Sequence, residues 1–113
     1  MHELRIAMEI IAIVEKEKTR RKMDSIAEIG LRVGLLSGVD PDALSFSFEA
    51  AVADTALAKT RLSIEQVPVR AACRSCNHDF DVEEYVFICP VCGSTDVDVT
   101  RGEELDIAWL SPS

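Results

Sequence analysis

At 113 residues the chain has the length of one average domain, so it holds one modest core and a small appendage, which excludes a large multi-substrate enzyme. Hydrophobic residues make up 48% and charged ones 28%, and no apolar run approaches the roughly 20 residues of a membrane span. The net charge of −8 argues against binding nucleic acid, which relies on Lys/Arg patches to neutralise phosphates. The N-terminus, Met-His-Glu-Leu-Arg, enters an amphipathic pattern at once, without the basic region, apolar stretch or cleavage site of a secretory signal. A cytoplasmic protein is expected, and disulfides are rare there.

From Glu3 to about Lys22 the apolar residues Leu4, Ala7, Met8, Ile11 and Val14 recur at three- and four-residue steps, with Ile6, Ile10 and Ile13 widening the stripe. This periodicity predicts a helix with one broad buried face. Its end carries Lys16, Lys18, Arg20, Arg21 and Lys22, which complement the negative end of the helix dipole; the alternative is a docking patch for an acidic partner. From Ser25 to Leu36 the period shortens to that of a strand. Ile29, Leu31, Val33 and Leu35 point one way, Glu28, Gly30, Arg32 and Gly34 the other. Ser37-Gly38-Val39-Asp40-Pro41 reads as a turn, an N-cap aspartate and a proline at the first helical position, with Val39 and Leu44 spaced for a hydrophobic staple. A second helix follows to about Ala53, its buried face formed by Leu44, Phe48, Ala51 and Val52.

Leu62, Ile64, Val67 and Val69 mark a second strand, and Pro68 within it suits a strand end or sheet edge. From Arg70 to Thr100 the chain carries all four cysteines and few large aliphatics, too few to assemble much core. After Gly102 alternation resumes, Leu105, Ile107 and Trp109 against Asp106 and Ala108, which predicts a third strand. The expected fold is α+β: two helices packed on a three-stranded sheet with an inserted four-cysteine, zinc-ribbon-like module. The expected division is residues 1–69 plus 101–113 as one domain and residues 70–100 as the module, with hinges near 69–72 and 100–102.

The cysteine pattern is Cys73-Arg-Ser-Cys76, twelve residues, then Cys89-Pro-Val-Cys92-Gly93. Two pairs at this spacing can bring four thiolates to the corners of a tetrahedron, the geometry of structural zinc, and Gly93 supplies the permissive backbone that a tight turn needs. Two disulfides, a redox-active dithiol and rubredoxin-like iron are the competing readings. Four sulfurs fill the usual coordination of zinc, so the site should be structural or regulatory rather than hydrolytic. His78 reads either as a solvated residue of the turn or as a pH-sensitive neighbour able to compete for the metal.

His2 lies beside the free α-amine, and amine, imidazole and backbone nitrogens together form a chelate suited to square-planar nickel(II) or copper(II). Met1-His2-Glu3 opening an amphipathic helix, a strand with spaced glycines, a second helix and a late double Cys-x-x-Cys insertion before a last strand closely resemble the HypA family of hydrogenase nickel-incorporation proteins. The resemblance covers essentially the whole chain. It implies nickel(II) held by the amine and backbone of Met1, the imidazole and backbone of His2 and the backbone of Glu3, with zinc held by Cys73, Cys76, Cys89 and Cys92. It further implies delivery of nickel to the active site in the large subunit of [NiFe] hydrogenase, cooperation with a HypB-like GTPase, and in some members service to urease maturation proteins. Asp40 is expected as an N-cap, with an extra oxygen ligand to nickel as the alternative. No catalytic residues are expected: the chain offers no nucleophile–base pair, no phosphate loop and no paired carboxylates with reason to be perturbed. A zinc-ribbon interaction or nucleic-acid-associated module and a rubredoxin-like electron carrier are the other readings; monomer and homodimer are both open.

Overall fold

The computed structural model describes residues 2–113. In chain order its elements are α1 (His2–Arg20), β1 (Ile26–Gly34), α2 (Pro41–Val52), β2 (Arg61–Val67), β3 (Arg70–Cys73), β4 (Asp79–Asp81), β5 (Val97–Arg101) and β6 (Leu105–Pro112). The strands form two three-stranded sheets, ordered β2-β1-β6 and β4-β3-β5, so the class is α+β as expected. The chain divides into two compact units. One takes in the chain up to Arg32, Val39–Glu65 and Asp106–Ser113; the other comprises Val33–Gly38 and Gln66–Leu105. None of the described helices is long and apolar enough to cross a membrane.

In the first unit α1 packs against α2 and buries Ile6, Ala7, Ile10 and Val14. The helix is rotated from the expected face, because Met8 and Ile13 are 59% and 51% exposed. Each residue turns the helix by about 100°, so centring the buried stripe on Ile10 instead of Ile11 turns Met8, about 160° away, to the outer face and leaves Ile13, about 60° away, at the margin of the stripe. The helix closes with Lys22 in the left-handed region (φ 54), the Lys22 N–H donating to the Thr19 carbonyl and the Met23 N–H to that of Lys18. This is a Schellman closure with lysine where glycine is commonest. Arg20 and Arg21 both pair with Glu17, so the basic cluster is partly neutralised within its own helix. Lys22→Gly should therefore raise stability by about 0.5–1 kcal/mol, measured by urea unfolding, by relieving the left-handed side chain.

Asp40 caps α2, its Oδ1 accepting from Asp42 N–H at 3.0 Å and Ala43 N–H at 3.4 Å, ahead of Pro41. Leu44, Phe48 and Val52 are buried as expected, whereas Ala51 is only partly covered. On β1, Ile29, Leu31 and Val33 are buried; Leu35, expected on the same face, lies past the strand end and is 51% exposed. Gly30 makes room for Trp109 of β6, since a Cβ there would lie 2.0 Å from the indole ring. The Trp109 Nε1–H donates to Glu28 Oε1 at 2.9 Å, and Arg61 donates to the other oxygen at 3.0 Å. These bonds hold the Glu28 carboxyl below its ordinary range, Trp109 contributing most.

In the second unit β3 pairs antiparallel with β4, setting Ala71 opposite Phe80, and with β5, setting Cys73 opposite Val97. The ladder to β5 is irregular between Arg70 and Ala71. Val69, expected at the end of the second strand, lies outside any strand: Pro68 has no N–H to donate, and β2 stops at Val67. A small core of Ala71, Cys73, Phe80 and Cys89, flanked by Val82 and Val97, fills one side of this sheet. Arg70 pairs with Asp81, and Arg74 with Asp98 and Asp96.

Candidate metal centre

The four cysteines come from two turns of the same construction. In the first, the Cys73 N–H donates to the His78 carbonyl and the Asn77 N–H to the Cys73 carbonyl, both at 2.9 Å. In the second, the Cys89 N–H donates to the Ser94 carbonyl and the Gly93 N–H to the Cys89 carbonyl, again at 2.9 Å. Asn77 and Gly93, each directly after its pair, are both left-handed, with φ 62 and 74. Gly93 was the expected turn residue. Asn77 fills the equivalent place, and its signal was available, because asparagine ranks next to glycine for this conformation. Within each turn the leading sulfur accepts backbone N–H bonds, Cys73 from Cys76 and Ser75, Cys89 from Cys92 and Val91. A hydrogen bond from Ser75 Oγ to Ser94 Oγ at 3.2 Å joins the two turns.

This arrangement gathers all four sulfurs to within 4.8 Å of one another, Cys73 to Cys92 at 3.5 Å and Cys76 to Cys89 at 3.6 Å. A tetrahedron of sulfurs about 2.3 Å from a zinc ion has edges of about 3.8 Å, so the donor set fits one ion without rearrangement of the chain. Cys73 and Cys89 are buried, while Cys76 and Cys92 face solvent. Charge divides along the same line. Backbone N–H donors, with that of Cys76 foremost, draw the Cys73 thiol down to about 7, and those of Cys92 and Val91 lower Cys89. At Cys76 the His78 N–H lowers the thiol, but desolvation and the neighbouring sulfurs outweigh it and push it up to about 12; Cys92 is raised likewise despite the Ser94 N–H. The buried pair is therefore eased toward the thiolate, and the other two hold protons that a metal must displace.

At the other end of the chain His2 opens α1 with its side chain 61% exposed, and its Nδ1 lies 3.6 Å from Glu3 Oε2. The same Glu3 oxygen accepts the Asp40 N–H at 3.2 Å, a link across the starts of α1 and α2 that sequence reasoning missed. That bond, more than any other, holds the Glu3 carboxyl below its ordinary range. Met1, the remaining nickel ligand implied by the resemblance, lies outside the described residues. Asp40 serves as the cap and lies next to Glu3. His78 stacks on Phe80 with ring centroids 6.2 Å apart and planes 10° from parallel.

The sequence model of one family, described as "Hydrogenase/urease nickel incorporation, metallochaperone, hypA", matches residues 1–111. Two curated relatives named "Hydrogenase maturation factor HypA" are similar along almost their whole length. The protein of Geobacter metallireducens is 43% identical over 110 residues, covering 97% of each chain. That of Desulfosudis oleivorans is 41% identical over 111 residues, covering 97% of this chain and 96% of its own. Among solved structures, "Solution structure of HypA protein" superposes with a TM-score of 0.76 at 23% identity, over 100% of this chain and 97% of the other. "Solution structure of the Ni metallochaperone HypA from Helicobacter pylori" gives 0.67 at 23% identity, over 97% and 96%; at such identity these two speak for the fold. The chain belongs to the HypA family of hydrogenase/urease nickel-incorporation metallochaperones.

Proposed function

We propose that the chain carries nickel(II) on its N-terminal segment, held by the amine and backbone of Met1, the imidazole and backbone of His2 and the backbone of Glu3, and delivers it for maturation of [NiFe] hydrogenase, with urease as a second client. The observation that carries this reading is the placing of His2 and Glu3 as the first two residues of α1, with Glu3 bound to the Asp40 N–H. The first four N–H groups of a helix have no partner in its ladder, so these amides can serve as ligands without breaking the helix. A bare cation is disfavoured at this positive end of the dipole, but deprotonated amides and the nearby Glu3 and Asp40 carboxylates reverse the local sign. Since amine, imidazole and amides all gain protons as the medium acidifies, nickel affinity falls with pH, which gives delivery the reversibility it needs.

Zinc is the ion proposed for Cys73, Cys76, Cys89 and Cys92, where it would act as a permanent staple; the four sulfurs leave no open position for hydrolytic chemistry. Residues 1–69 plus 101–113 are the proposed nickel-binding part and residues 70–100 the zinc-binding part. The proposed partners are a HypB-like GTPase, the hydrogenase large subunit and urease maturation proteins, in the cytoplasm; the chain acts as a carrier and catalyses no reaction. Untagged, zinc-loaded protein titrated with nickel(II) should develop the absorption of a low-spin square-planar complex. His2→Ala, or a short N-terminal extension, should weaken binding by about 100-fold or more, as loss of one limb of a chelate does. An unchanged spectrum in either variant would sink the reading. Metal analysis should return zinc and a colourless protein before nickel is added; the visible absorption of a ferric tetrathiolate would favour the electron carrier instead.

A further inference from the structure

The loop between the two cysteine pairs carries features that neither metal site uses. Tyr85, Val86 and Ile88 are 65%, 53% and 48% exposed. Glu84 and Tyr85 are consecutive left-handed residues, φ 52 and 61, in a turn closed by the Val86 N–H donating to the Glu83 carbonyl at 3.0 Å. Tandem left-handed residues make a type I′ turn, which Asn-Gly fills without strain and Glu-Tyr does not. Strain of this kind persists where the side chains have a use. Beside the turn lies an open depression of about 380 Å³ whose walls include Phe80, Glu83, Val86, Ile88 and Pro90.

The charge around this depression is predominantly negative: Asp81, Glu83 and Glu84 line it, with Arg70 paired to Asp81. Asp79, Asp81, Glu83 and Glu84 lie in a stretch, between Arg74 and Arg101, that contains no lysine or arginine. Asp81 is paired with Arg70, but Glu83 and Glu84 have no ion-pair partner among the described residues. Contiguous apolar exposure rimmed by polar groups marks an interaction surface.

We infer that this face docks a basic, apolar segment of a partner protein, whose aliphatic or aromatic residues enter the depression at Val86 and Ile88 while its Lys or Arg side chains meet Glu83 and Glu84. Unpaired carboxylates select a cationic partner and repel anionic lipid and nucleic acid. The surface also depends on the metal site: Phe80, one of its walls, shares the small buried core with Cys73 and Cys89. Nickel binding plays no part in this docking, and the test leaves it untouched.

Isotope-labelled, zinc-loaded full-length protein would be titrated with a synthetic amphipathic Leu/Lys peptide and with its Leu/Glu counterpart. Backbone amide shifts should be confined to residues 80–91 and arise with the Leu/Lys peptide alone. Glu83→Gln with Glu84→Gln should weaken binding by about tenfold and flatten its salt dependence. Val86→Ser with Ile88→Ser should abolish binding while leaving the zinc content unchanged. Glu84→Asn with Tyr85→Gly suits the turn, so it should raise the melting temperature and still weaken binding; a raised melting temperature with undiminished binding overturns the proposal. So do shifts that map onto α1, equal binding of the Leu/Glu peptide, or concentration-dependent shifts of residues 80–91 without peptide, which would identify a second copy as the occupant.

Discussion

Cys76→Ala should cost the chain its sulfur-bound metal and melt the β3–β4–β5 sheet while α1 and α2 keep their helical signal. The sheet has little else to hold it, for its core is Ala71, Cys73, Phe80 and Cys89, with two valines packed alongside. A structural zinc contributes roughly 10–16 kcal/mol at neutral pH, far more than burying those few side chains can. Cys76 is exposed, so its loss removes a ligand and almost no packing; Cys73→Ala removes a ligand and a buried side chain, and should be at least as damaging. Metal analysis after dialysis, and proteolysis within residues 74–100, would follow the two effects separately. If Cys76→Ala kept both metal and melting temperature, four-sulfur coordination would be wrong.

The pH dependence has a definite sign. Cys76, with its thiol raised to about 12, and Cys92, also raised, hold protons at neutral pH, and Cys73, lowered to about 7, holds one part of the time. Metal entry displaces them, so affinity for the proposed zinc should fall about 100-fold or more for each pH unit below 7, about tenfold per proton. Without metal, the contribution of Cys73, whose thiol is lowered from 9.0, is present above that value and lost as pH falls through about 7. That of Cys76 runs oppositely, present below 9.0 and lost as pH rises through about 12. A chelator competition series across pH measures the first effect, and urea unfolding of the metal-free protein the second.

Gly34→Ala is the second change expected to be severe. A Cβ at Gly34 would lie 2.0 Å from the Gly102 carbonyl oxygen and 2.7 Å from the Glu103 nitrogen, both main-chain atoms. The segments cannot part easily, because the Gly34 N–H donates to the Glu104 carbonyl and the Leu36 N–H to that of Gly102, both at 2.7 Å. Gly102 is constrained in turn by its φ of 117, which a residue with a side chain rarely adopts. The expected loss is about 2–4 kcal/mol by urea unfolding. Gly38→Ala is the control: φ is 79 but nothing lies within 4 Å of its added Cβ, so only the backbone cost of about 1 kcal/mol applies. Equal losses at the two positions would refute the close approach.

Periodicity made the helices and the long strands legible, since Ile29, Leu31 and Val33, or Leu44, Phe48 and Val52, announce a buried face through spacing alone. The roll of α1 was not legible. Ile10 and Ile11 are equally apolar, and which of them faces inward is decided by the neighbours of the helix rather than by its own sequence. The β4-β3-β5 sheet escaped notice because strands of four, three and five residues are too short to display a period, and its core is built partly from cysteine and alanine. Both cysteine turns carry a legible residue type, glycine at Gly93 and asparagine at Asn77, whereas the hydrogen-bond pattern that the two turns share does not show in the sequence. The Glu3–Asp40 link spans 37 positions, and no local pattern announces it.

The interleaving of the two units bears on the order in which a growing chain can assemble. The first unit draws its final strand from Asp106–Ser113, whereas the second is complete in sequence by Leu105. A ribosome therefore exposes all four cysteines before it releases Trp109, the residue that lies over Gly30. Metal capture by the four cysteines of the nascent chain can precede closure of the β2-β1-β6 sheet, so on the proposal that the ion is zinc, a cell starved of it would accumulate chains that falter at an early stage of folding.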